Sequence, residues 1–451
     1  MIIGLFDIAL SSIKIAQQGL EVAGNNVANV ETPGYTRRAI VVNQLPHNKG
    51  AVVKEIKREI NPFVARSWQD ELGPLGYYKT KDQILNELEG VFNEIESGGI
   101  KQALQDFWDA WQMVSDDAAD ISLRASLLQR ARALADAIRA KKRQLLNTRS
   151  FIDPEIDNLV QHVNDMTKRL SELNYKIRFG KTAKQDINNL LDERDEILRE
   201  LSESIGATSI KNSDGQVSVF LKGQAIVIGS QSFELQSQLD SNGNIHIIWD
   251  GSEDITDKIT GIKIGKLSAY LELRDEIIPE YINKLDSFAY QLADQINTQH
   301  RAGYDLYGAQ GEDFFKIDSN DPAGSIEINL DDPKKIAASS SASTLPSDNK
   351  NALAILEIRD KSITALNGMS IDNFYNHIIT SIGDLRYTNS NSLKLQDRVV
   401  QGIQEHFDTI SGVNLDEEAA NVIKYQYMYT ASARLISVAS EITEVIINMG
   451  A

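Results

Sequence analysis

The chain has 451 residues, of which 42% are hydrophobic and 24% are charged, a composition typical of globular proteins rather than disordered ones. This length predicts two or three domains at ~100–200 residues each, and no apolar run approaches the ~20 residues that a membrane span requires. A formal net charge of -18 argues against broad contact with nucleic acid or anionic lipid, because phosphate binders normally carry a basic face. The chain has no cysteine, which excludes disulfides, thiolate metal sites and a cysteine nucleophile.

The N-terminal segment carries the apolar seam of a helix. The seam residues recur at alternating spacings of four and three, close to a heptad pattern, and are Ala9, Ile13, Ala16, Leu20, Ala23, Val27 and Val30. Ile8, Ile15 and Val22 widen this seam. The segment does not match a secretory signal, because Asp7 interrupts its apolar stretch and no cation precedes Lys14. We therefore expect a cytoplasmic protein, or one that leaves the cell by another route.

Three asparagines mark the end of this helix, at Asn25, Asn26 and Asn29. Their short amides compete for backbone hydrogen bonds and favour helix ends. The dipeptide Pro33-Gly34 that follows is a strong turn signal, and "TRRAIVV" after it predicts an extended arm. Local physics alone therefore indicates a helix end and a turn, without a function.

The interior alternates between helical and strand-like patterns. Apolar residues at three-four spacing from Ile156 to Ile177 predict a long helix that begins at Asp153-Pro154. After the hairpin loop "RFGKTAKQD", a returning helix is predicted from Ile187 to Ile205. From Ala207 to about Lys266 the pattern changes to period two, with "SDG" and "SNGN" turns, which predicts a small β-rich insert. The helical pattern resumes at "LSAYLELRDEIIPEYINKL".

The C-terminal segment predicts a helix with two apolar faces. The stretch "SGVNLDEEAANV" supplies its start, with turn residues followed by acids where the helix dipole favours them. The first seam consists of Leu415, Ala419, Val422, Gln426, Tyr429, Ala433, Ile436, Ser440, Thr443 and Ile447. The second consists of Met428, Ala431, Leu435, Val438, Ile442, Val445 and Met449. Two interpretations stay open: both end helices pack on a common core, or one face binds within the molecule and the other binds neighbouring copies.

The fold class that follows is mainly α with a small β insert. We expect paired terminal coiled-coil helices, a discontinuous helical-bundle domain and an inserted β-rich domain. The expected boundaries are 1–45 with 411–451 for the terminal coiled-coil assembly domain, 46–206 with 266–410 for the helical domain, and 207–265 for the outer β-rich domain. This nesting places both termini together, as pairing of the end helices requires.

The sequence predicts no catalytic, metal or cofactor site. The histidines lie far apart, without H-x-x-x-H or H-E-x-x-H spacing, and are His47, His162, His246, His300, His377 and His406. The stretches "DSNGNIH" and "DSNDPAG" have Ile245 and Ala323 where a calcium loop needs glycine. No G-x-S-x-G is present, and Gly180-Lys181-Thr182 has Tyr175 where a phosphate loop needs glycine.

Two further features predict structural roles. Asp192 and Asp195 lie three residues apart on a charged helix face, where solvation or pairing with Arg194 and Arg199 is the default expectation. The loop "DLYGAQGEDFF" ends in a phenylalanine pair of the kind that is usually buried, so we predict a packed turn rather than a catalytic loop.

The N-terminal pattern resembles that of a known family. The stretch "ALSSIKIAQQGLEVAGNNVANVETPGYTRR" is similar to the signature of the flagellar axial proteins of rod, hook and hook–filament junction, in which an amphipathic helix leads into Asn-Asn and then Gly-Tyr. The version Gly34, Tyr35, Thr36 and Arg37 most resembles the junction members, as do "LLDERDEILRELS", "QHRAGYDLYGAQGEDFF" and "DDPKKIAASSSAS" in the interior. The chain departs from some members in lacking a large outer insertion.

This resemblance implies a structural protein without enzymatic activity, located outside the cell in the bacterial flagellum. It implies export in unfolded form through the flagellar type III channel and a ring between hook and filament. The implied partners are further copies of the chain, the hook protein, a second junction protein adjoining the filament, and an export chaperone for the C-terminal helix. No cofactor, nucleic acid or membrane is implied. The alternatives are a hook or distal-rod subunit, or a surface hydrolase in the β insert.

The terminal helices supply the expected assembly interface. A solitary helix of this length is marginal in water, so neighbouring copies would complete the burial of its apolar face. The expected interface residues are Ala9, Ile13, Ala16, Leu20, Ala23, Asn25, Asn26, Val27, Asn29, Gly34, Tyr35, Arg37, Leu415, Val422, Tyr429, Leu435, Ile436 and Ile442.

Overall fold

The computed structural model describes residues 2–46, 49–93 and 99–450; His47 lies outside these ranges. The helices are α1 (Ile2–Ala28), α2 (Pro62–Phe92), α3 (Ile100–Asp116), α4 (Ile121–Thr182), α5 (Asn188–Ile205), α6 (Thr256–Ile259), α7 (Lys266–Glu272), α8 (Ile278–Ala302), α9 (Pro322–Ser325), α10 (Lys350–Glu357), α11 (Ile371–Ser411) and α12 (Leu415–Gly450). The strands are β1 (Arg38–Gln44), β2 (Ala51–Arg58), β3 (Thr208–Lys211), β4 (Val217–Leu221), β5 (Gln224–Ile228), β6 (Gln231–Ser232), β7 (Leu235–Leu239), β8 (Ile245–Trp249), β9 (Glu253–Asp254), β10 (Phe315–Lys316) and β11 (Glu327–Ile328).

Residues 62–411 form the part of the molecule that we call the body. Among the described residues its apolar core is continuous and runs from Ile84 to Ile382, with no member from α1 or α12. The long helices α2 and α11 pack along each other, and Trp68 of α2 contacts Phe407 of α11 with ring centroids 5.0 Å apart. The mainly α fold with a small β insert is therefore confirmed.

Helix α4 corrects one prediction, because it is a single helix of 62 residues that passes through Pro154. It begins after Asp120, whose carboxylate accepts hydrogen bonds from the N–H groups of Ser122 and Leu123, so the predicted start at Asp153-Pro154 is wrong. An interior proline costs ~3 kcal/mol or more. Ile152 and Ile156 are both fully buried on either side of it, and packing of this kind can offset that cost. The returning helix is present as α5.

The β insert consists of two small antiparallel sheets. One has the strand order β3-β4-β5-β6 and the other β7-β8-β9. Val219, Val227 and Ile247 are fully buried and belong to the same apolar core as α4, because alternate residues of each strand face the helices. Strands therefore replace helices here as the layer that covers one side of the long α4.

The predicted extended arm is one half of a β-hairpin. Strand β1 pairs antiparallel with β2, with a bulge between Val41 and Val42. The hairpin folds back on α1, where the Ala51 N–H donates to the Ser11 hydroxyl across 3.4 Å. The second strand was not predicted, although "AVVKEIKR" alternates between apolar and charged residues as a half-exposed strand does.

Helices α1 and α12 pack against each other in antiparallel fashion and form what we call the terminal pair. The start of α12 lies beside the turn that follows α1, and Gly19 in the middle of α1 lies against the ring of Tyr425. A Cβ atom at Gly19 would lie 2.6 Å from that ring, so the glycine permits the close approach. The paired terminal helices of the predicted fold are thus observed.

The inner face of α12 coincides only partly with the first predicted seam, in which the half-buried residues are Val422, Ala433, Ile436 and Thr443. Its buried residues are Glu418, Ser432 and Ala439, whereas Leu415 and Tyr429 of the first seam are exposed. Ser432 and Ala439 are small, as the close approach of the two backbones requires, and Glu418 is buried by its ion pair with Arg37. The apolar pattern alone therefore identifies the helix but only part of its inner face. Within residues 2–46, 49–93 and 99–450, no helix combines the length and apolarity needed to span a bilayer.

Candidate assembly site at the chain termini

Asn26 closes the end of α1. Its buried side chain acts as a strand partner for Arg38: Nδ2 donates to the Arg38 carbonyl oxygen at 2.9 Å, and Oδ1 accepts from the Arg38 N–H at 3.0 Å. The Tyr35 hydroxyl donates to the same Oδ1 at 2.8 Å. Burial raises the pKa of Tyr35, which keeps this hydroxyl protonated as a donor. Asn26 thereby joins the last turn of α1 to the first residue of β1.

The turn between α1 and β1 is held by its own polar groups. The Asn29 N–H donates to the Asn25 carbonyl oxygen at 3.2 Å, and the Thr32 hydroxyl donates to Asn29 Oδ1 at 3.2 Å. Gly34 has φ +76°, in the left-handed region where glycine carries no steric penalty. A Cβ atom there would also lie 3.2 Å from Oε2 of Glu196. The turn therefore requires glycine for its conformation, whereas the flexible Glu196 side chain could move away from an added Cβ atom.

Two carboxylates of α5 tie this turn to the body. Asp192 accepts from the Thr36 hydroxyl at 2.5 Å and from Arg58 Nη1 at 2.7 Å. Asp195 forms ion pairs with Arg58 at 2.8 Å and Arg194 at 2.8 Å. Arg58 is only 8% exposed, so these pairs are largely shielded from water.

Electrostatics keeps this network ionised. Burial raises the pKa of Asp195, but the adjacent Arg194 and Arg58 outweigh burial and leave the pKa below its ordinary value. Burial lowers the pKa of Arg58, and the carboxylates of Asp195 and Asp192 reverse this effect and raise it. The predicted pairing of Arg194 with Asp195 is confirmed. Pairing with Arg199 is wrong, because Arg199 is bonded to Glu196 instead.

Arg37 joins the same turn to the start of α12. Its Nε lies 2.8 Å from Oε1 of Glu418, and its Nη1 lies 2.6 Å from Oε2 of Glu417. Its backbone N–H donates to the Ser411 carbonyl oxygen at the end of α11, across 2.8 Å. One short segment thus connects both terminal helices with the body. We call this network the clamp; it consists of Asn26, Tyr35, Thr36, Arg37, Arg38, Arg58, Asp192, Asp195 and Glu418.

The expected interface residues fall into three groups by burial. The buried ones are Ala9, Ala16, Ala23 and Asn26. The half-buried ones are Ile13, Leu20, Asn29, Gly34, Tyr35, Arg37, Val422 and Ile436. The exposed ones are Asn25, Val27, Leu415, Tyr429, Leu435 and Ile442. The first group is satisfied within the chain, so only the other two have surface to offer to a neighbour.

A continuous apolar stripe lies on the outer face of α12. It follows the second predicted seam at spacings of three and four, its residues are between 41 and 82% exposed, and they are Leu435, Val438, Ile442, Val445 and Met449. We call these residues the outer stripe. Isolated exposed apolar side chains are normal, but an aligned row is typical of an interaction surface.

The sequence alone does not predict the contacts of the clamp. Its patterns place Tyr35 and Arg37 at the expected interface, but they do not identify Arg58, Asp192 and Glu418 as members of the same network. The acids of "LLDERDEILRELS" and the arginines of "GYTRR" were visible as complementary charges. Their pairing spans separations such as the 154 residues between Arg38 and Asp192, which local sequence patterns do not reveal.

The remaining candidate sites have structural roles. Within the described residues, no group of three or more potential ligands is arranged to hold a metal ion. In "DSNGNIH", Asp240 accepts hydrogen bonds from the N–H groups of Asn242 and Asn244 and so forms a turn. Phe314 and Phe315 are buried in an aromatic cluster with Trp111, which confirms the packed turn.

Sequence comparison relates three parts of the chain to flagellar families. Residues 85–315 match the family described as the flagellar hook-associated protein FlgK helical domain. Residues 6–36 match the flagella basal body rod protein family, and residues 404–449 match the flagellar basal body rod FlgEFG protein C-terminal family. The rod-type matches fall on the segments that contain α1 and α12, whereas the hook-associated match falls on the body.

Full-length relatives and one solved structure are also similar to this chain. Flagellar hook-associated protein 1 of Bacillus subtilis (strain 168) is 26% identical over 98% of this chain and 97% of its own length. The protein of the same name in Escherichia coli (strain K12) is 24% identical over 99% of both chains. The flagellar hook junction protein FlgK from Burkholderia pseudomallei has the same fold, with a TM-score of 0.67 over 76% of this chain and 99% of its own, at 14% identity.

The body match is the decisive one, because it covers more than half of the chain and excludes the ends that axial proteins share. The resemblance seen in "GYTRR" and the interior segments is thus confirmed. The chain belongs to the flagellar hook-associated protein FlgK family.

Proposed function

We propose that this chain is a structural subunit of the junction between the flagellar hook and filament, and that its copies form a ring through the terminal pair. Family membership supports the place in the flagellum, and the names of its relatives refer to the hook and to the hook junction. The single observation that carries the assembly mode is the outer stripe. It is a row of large apolar residues on α12 that α1 does not cover.

The clamp supports this proposal, because it gives the terminal pair a defined direction. Arg37 holds the first turn of α12 while Asn26 holds the last turn of α1. The segment that contains these contacts is linked to the body by the hydrogen bond from the Thr36 hydroxyl to Asp192. A subunit that transmits force between two tubular segments needs such a connection, since a flexible linker would let the body turn freely about the ring.

The finer features of the function follow from the same family. We propose export through the flagellar type III channel without a cleavable signal, and folding outside the cell at the growing tip. The hook protein, a second junction protein and a chaperone for the C-terminal helix are the proposed partners. The domain division at 1–45 with 411–451, 46–206 with 266–410, and 207–265 belongs to this proposal, as does the lack of a catalytic role.

Incorporation of a charged variant tests the assembly mode. Val438→Asp places a carboxylate in the outer stripe, where burial by a neighbouring copy would desolvate it. We expect this variant to keep the wild-type thermal unfolding of the body but to be missing from flagella purified from cells in which it is the sole copy. The readout is immunolabelling of the purified hook ends.

The matched control is Phe179→Asp, which introduces the same charge at an exposed apolar position of α4 in the body. This variant should be incorporated normally. Wild-type filaments on cells that contain only Val438→Asp would refute assembly through the outer stripe. Absence of the wild-type protein from the hook end would refute the proposed place in the flagellum.

A further inference from the structure

Helix α12 extends beyond the helix with which it pairs. Gly19 lies opposite Tyr425 in the antiparallel pair. Because the helices run in opposite directions, 17 residues back along α1 and 17 residues forward along α12 reach the same level, which is Ile2 on α1 and Ile442 on α12. Residues 443–450 of α12 therefore lie past the start of α1. At 1.5 Å per residue this segment is about 12 Å long. We call it the overhang.

The overhang is apolar and slightly acidic. Its large side chains, Val445, Ile446, Ile447 and Met449, are all more than half exposed. They cover a wide arc of the helix and leave Glu444 and Asn448 on the remaining side, so the apolar surface is wider than the stripe by which a helix packs on one partner. From Leu435 onward the charged residues are Glu441 and Glu444, without a lysine or arginine.

A groove of about 710 Å³ lies on the opposite side of the terminal pair, between α1 and the β1–β2 hairpin. Its apolar lining includes Leu10 and Val52, which are each about half exposed. Lys14 and Lys49 are exposed at the same groove, and neither forms an ion pair with another described residue. Asp7 and Glu21 lie at its two ends.

We propose that the overhang of one copy binds in the groove of a neighbouring copy. This inference rests on the proposed function and names the contact by which the ring closes. The occupant is a second copy of the chain because the overhang carries what the groove lacks: four large apolar side chains, with one acid, Glu444, that can pair with Lys14 or Lys49. Two different surfaces of the same molecule are joined, and contacts of this head-to-tail kind generate rings.

The same contact cannot form within one molecule. Leu10 lies in the part of α1 that faces α12 near Arg434, because α1 and α12 run antiparallel from the Gly19–Tyr425 contact. Ile446 is 12 residues further along the rigid helix, which amounts to about 18 Å. Disulfide formation requires Cα atoms within ~7 Å. A cross-link between positions 10 and 446 therefore reports two copies.

The absence of cysteine in the chain makes this contact directly testable. Two single-cysteine chains, Leu10→Cys and Ile446→Cys, are expressed together in flagellated cells that lack the wild-type copy. Purified flagella are then oxidised and separated without reductant. We expect a mixed dimer of twice the chain mass, at least tenfold more abundant than in flagella that contain Tyr387→Cys, an exposed body position, in place of Leu10→Cys.

The outcomes separate this inference from the function on which it rests. Filaments that contain both chains but show no cross-link between positions 10 and 446 would overturn the groove contact and leave the junction function standing. A cross-link from Ile446→Cys only to a different axial protein would overturn it as well. Absence of the wild-type protein from the hook end, measured in parallel, would show instead that the proposed function itself is wrong.

Discussion

The body and the terminal pair contain the same kinds of side chains but use them differently. In α3 of the body, Phe107, Trp108 and Trp111 are buried against partners in the same chain. In α12, residues of equal apolarity such as Val445 and Met449 lie in a row on the surface. The apolar pattern is thus similar in both regions, and only the presence of an internal partner differs. The unpaired row is the basis of the proposed contact with another copy of the chain.

The largest effect is expected from truncation in the body core. Trp111→Ala removes a fully buried ring that packs on Phe314 with centroids 5.5 Å apart. We expect the free energy of unfolding to fall by ~3–5 kcal/mol. Val445→Ala in the outer stripe is the matched change and should alter it by less than ~0.5 kcal/mol. Urea unfolding of the isolated chain measures the free energy of unfolding of each variant. Similar losses of free energy in the two variants would contradict the distinction between the two regions.

The next effect concerns the clamp, which connects the two regions. Arg58→Ala leaves Asp192 and Asp195 without their shared partner in a site shielded from water, so we expect a loss of about 3 kcal/mol in unfolding free energy. Arg66→Ala removes an exposed arginine paired with Asp70 and should cost less than ~1 kcal/mol. If Arg58→Ala is as mild as Arg66→Ala, the clamp does not stabilise the link between terminal pair and body.

Acid should weaken the body through His300. Burial lowers the pKa of His300 to about 4, and the hydrogen bond between Nδ1 and the Glu312 carbonyl oxygen only partly opposes this shift. Nε2 accepts from the Ala337 N–H, so protonation of Nε2 would also break that bond. The unfolded chain binds the proton first, near its ordinary pKa of ~6.5. Stability is therefore lost as the pH falls from about 6.5 to 4, by up to about 3 kcal/mol.

The matched variant for this pH dependence is His300→Gln, which cannot titrate in this range. Denaturant unfolding at a series of pH values gives the free energy of unfolding of each chain. The two free energies should converge as the pH falls towards 4, because only the wild type loses the contribution of neutral His300. Parallel curves between pH 6.5 and pH 4 would show that His300 does not couple protons to the stability of the body.

The smallest effect should be confined to the terminal pair. Gly19→Ala places a Cβ atom 2.6 Å from the ring of Tyr425, and such overpacking costs ~1–3 kcal/mol. Gly24→Ala lies in the same helix with nothing within 4 Å of the new atom and should stabilise α1 by ~0.4–1 kcal/mol. Hydrogen exchange of α1 amides in the isolated chain distinguishes the two variants. Equal protection in both would mean that Tyr425 does not pack on Gly19.

Several elements were predictable because their signals are local. The seam of α1, the acids at the start of α12 and the period-two segments of the β insert each reflect contacts within a few residues. The start of α4 was mispredicted because Asp153-Pro154 is a valid local helix start, and only tertiary packing shows that the helix continues through it. The β1–β2 hairpin was half predicted because its second strand depends on pairing with the first.

The amino-acid sequence by itself determined the regular elements, the absence of cysteine chemistry and the excess of apolar surface at both ends, since periodicity and composition are properties of the chain. The tertiary structure alone decided that Glu418, Ser432 and Ala439 face inward on α12, and that Arg58 pairs with Asp192. Both depend on residues distant in sequence. Which face of α12 points inward depends on how closely the backbones of α1 and α12 can approach each other. The spacing of apolar residues along one helix gives no information about that distance.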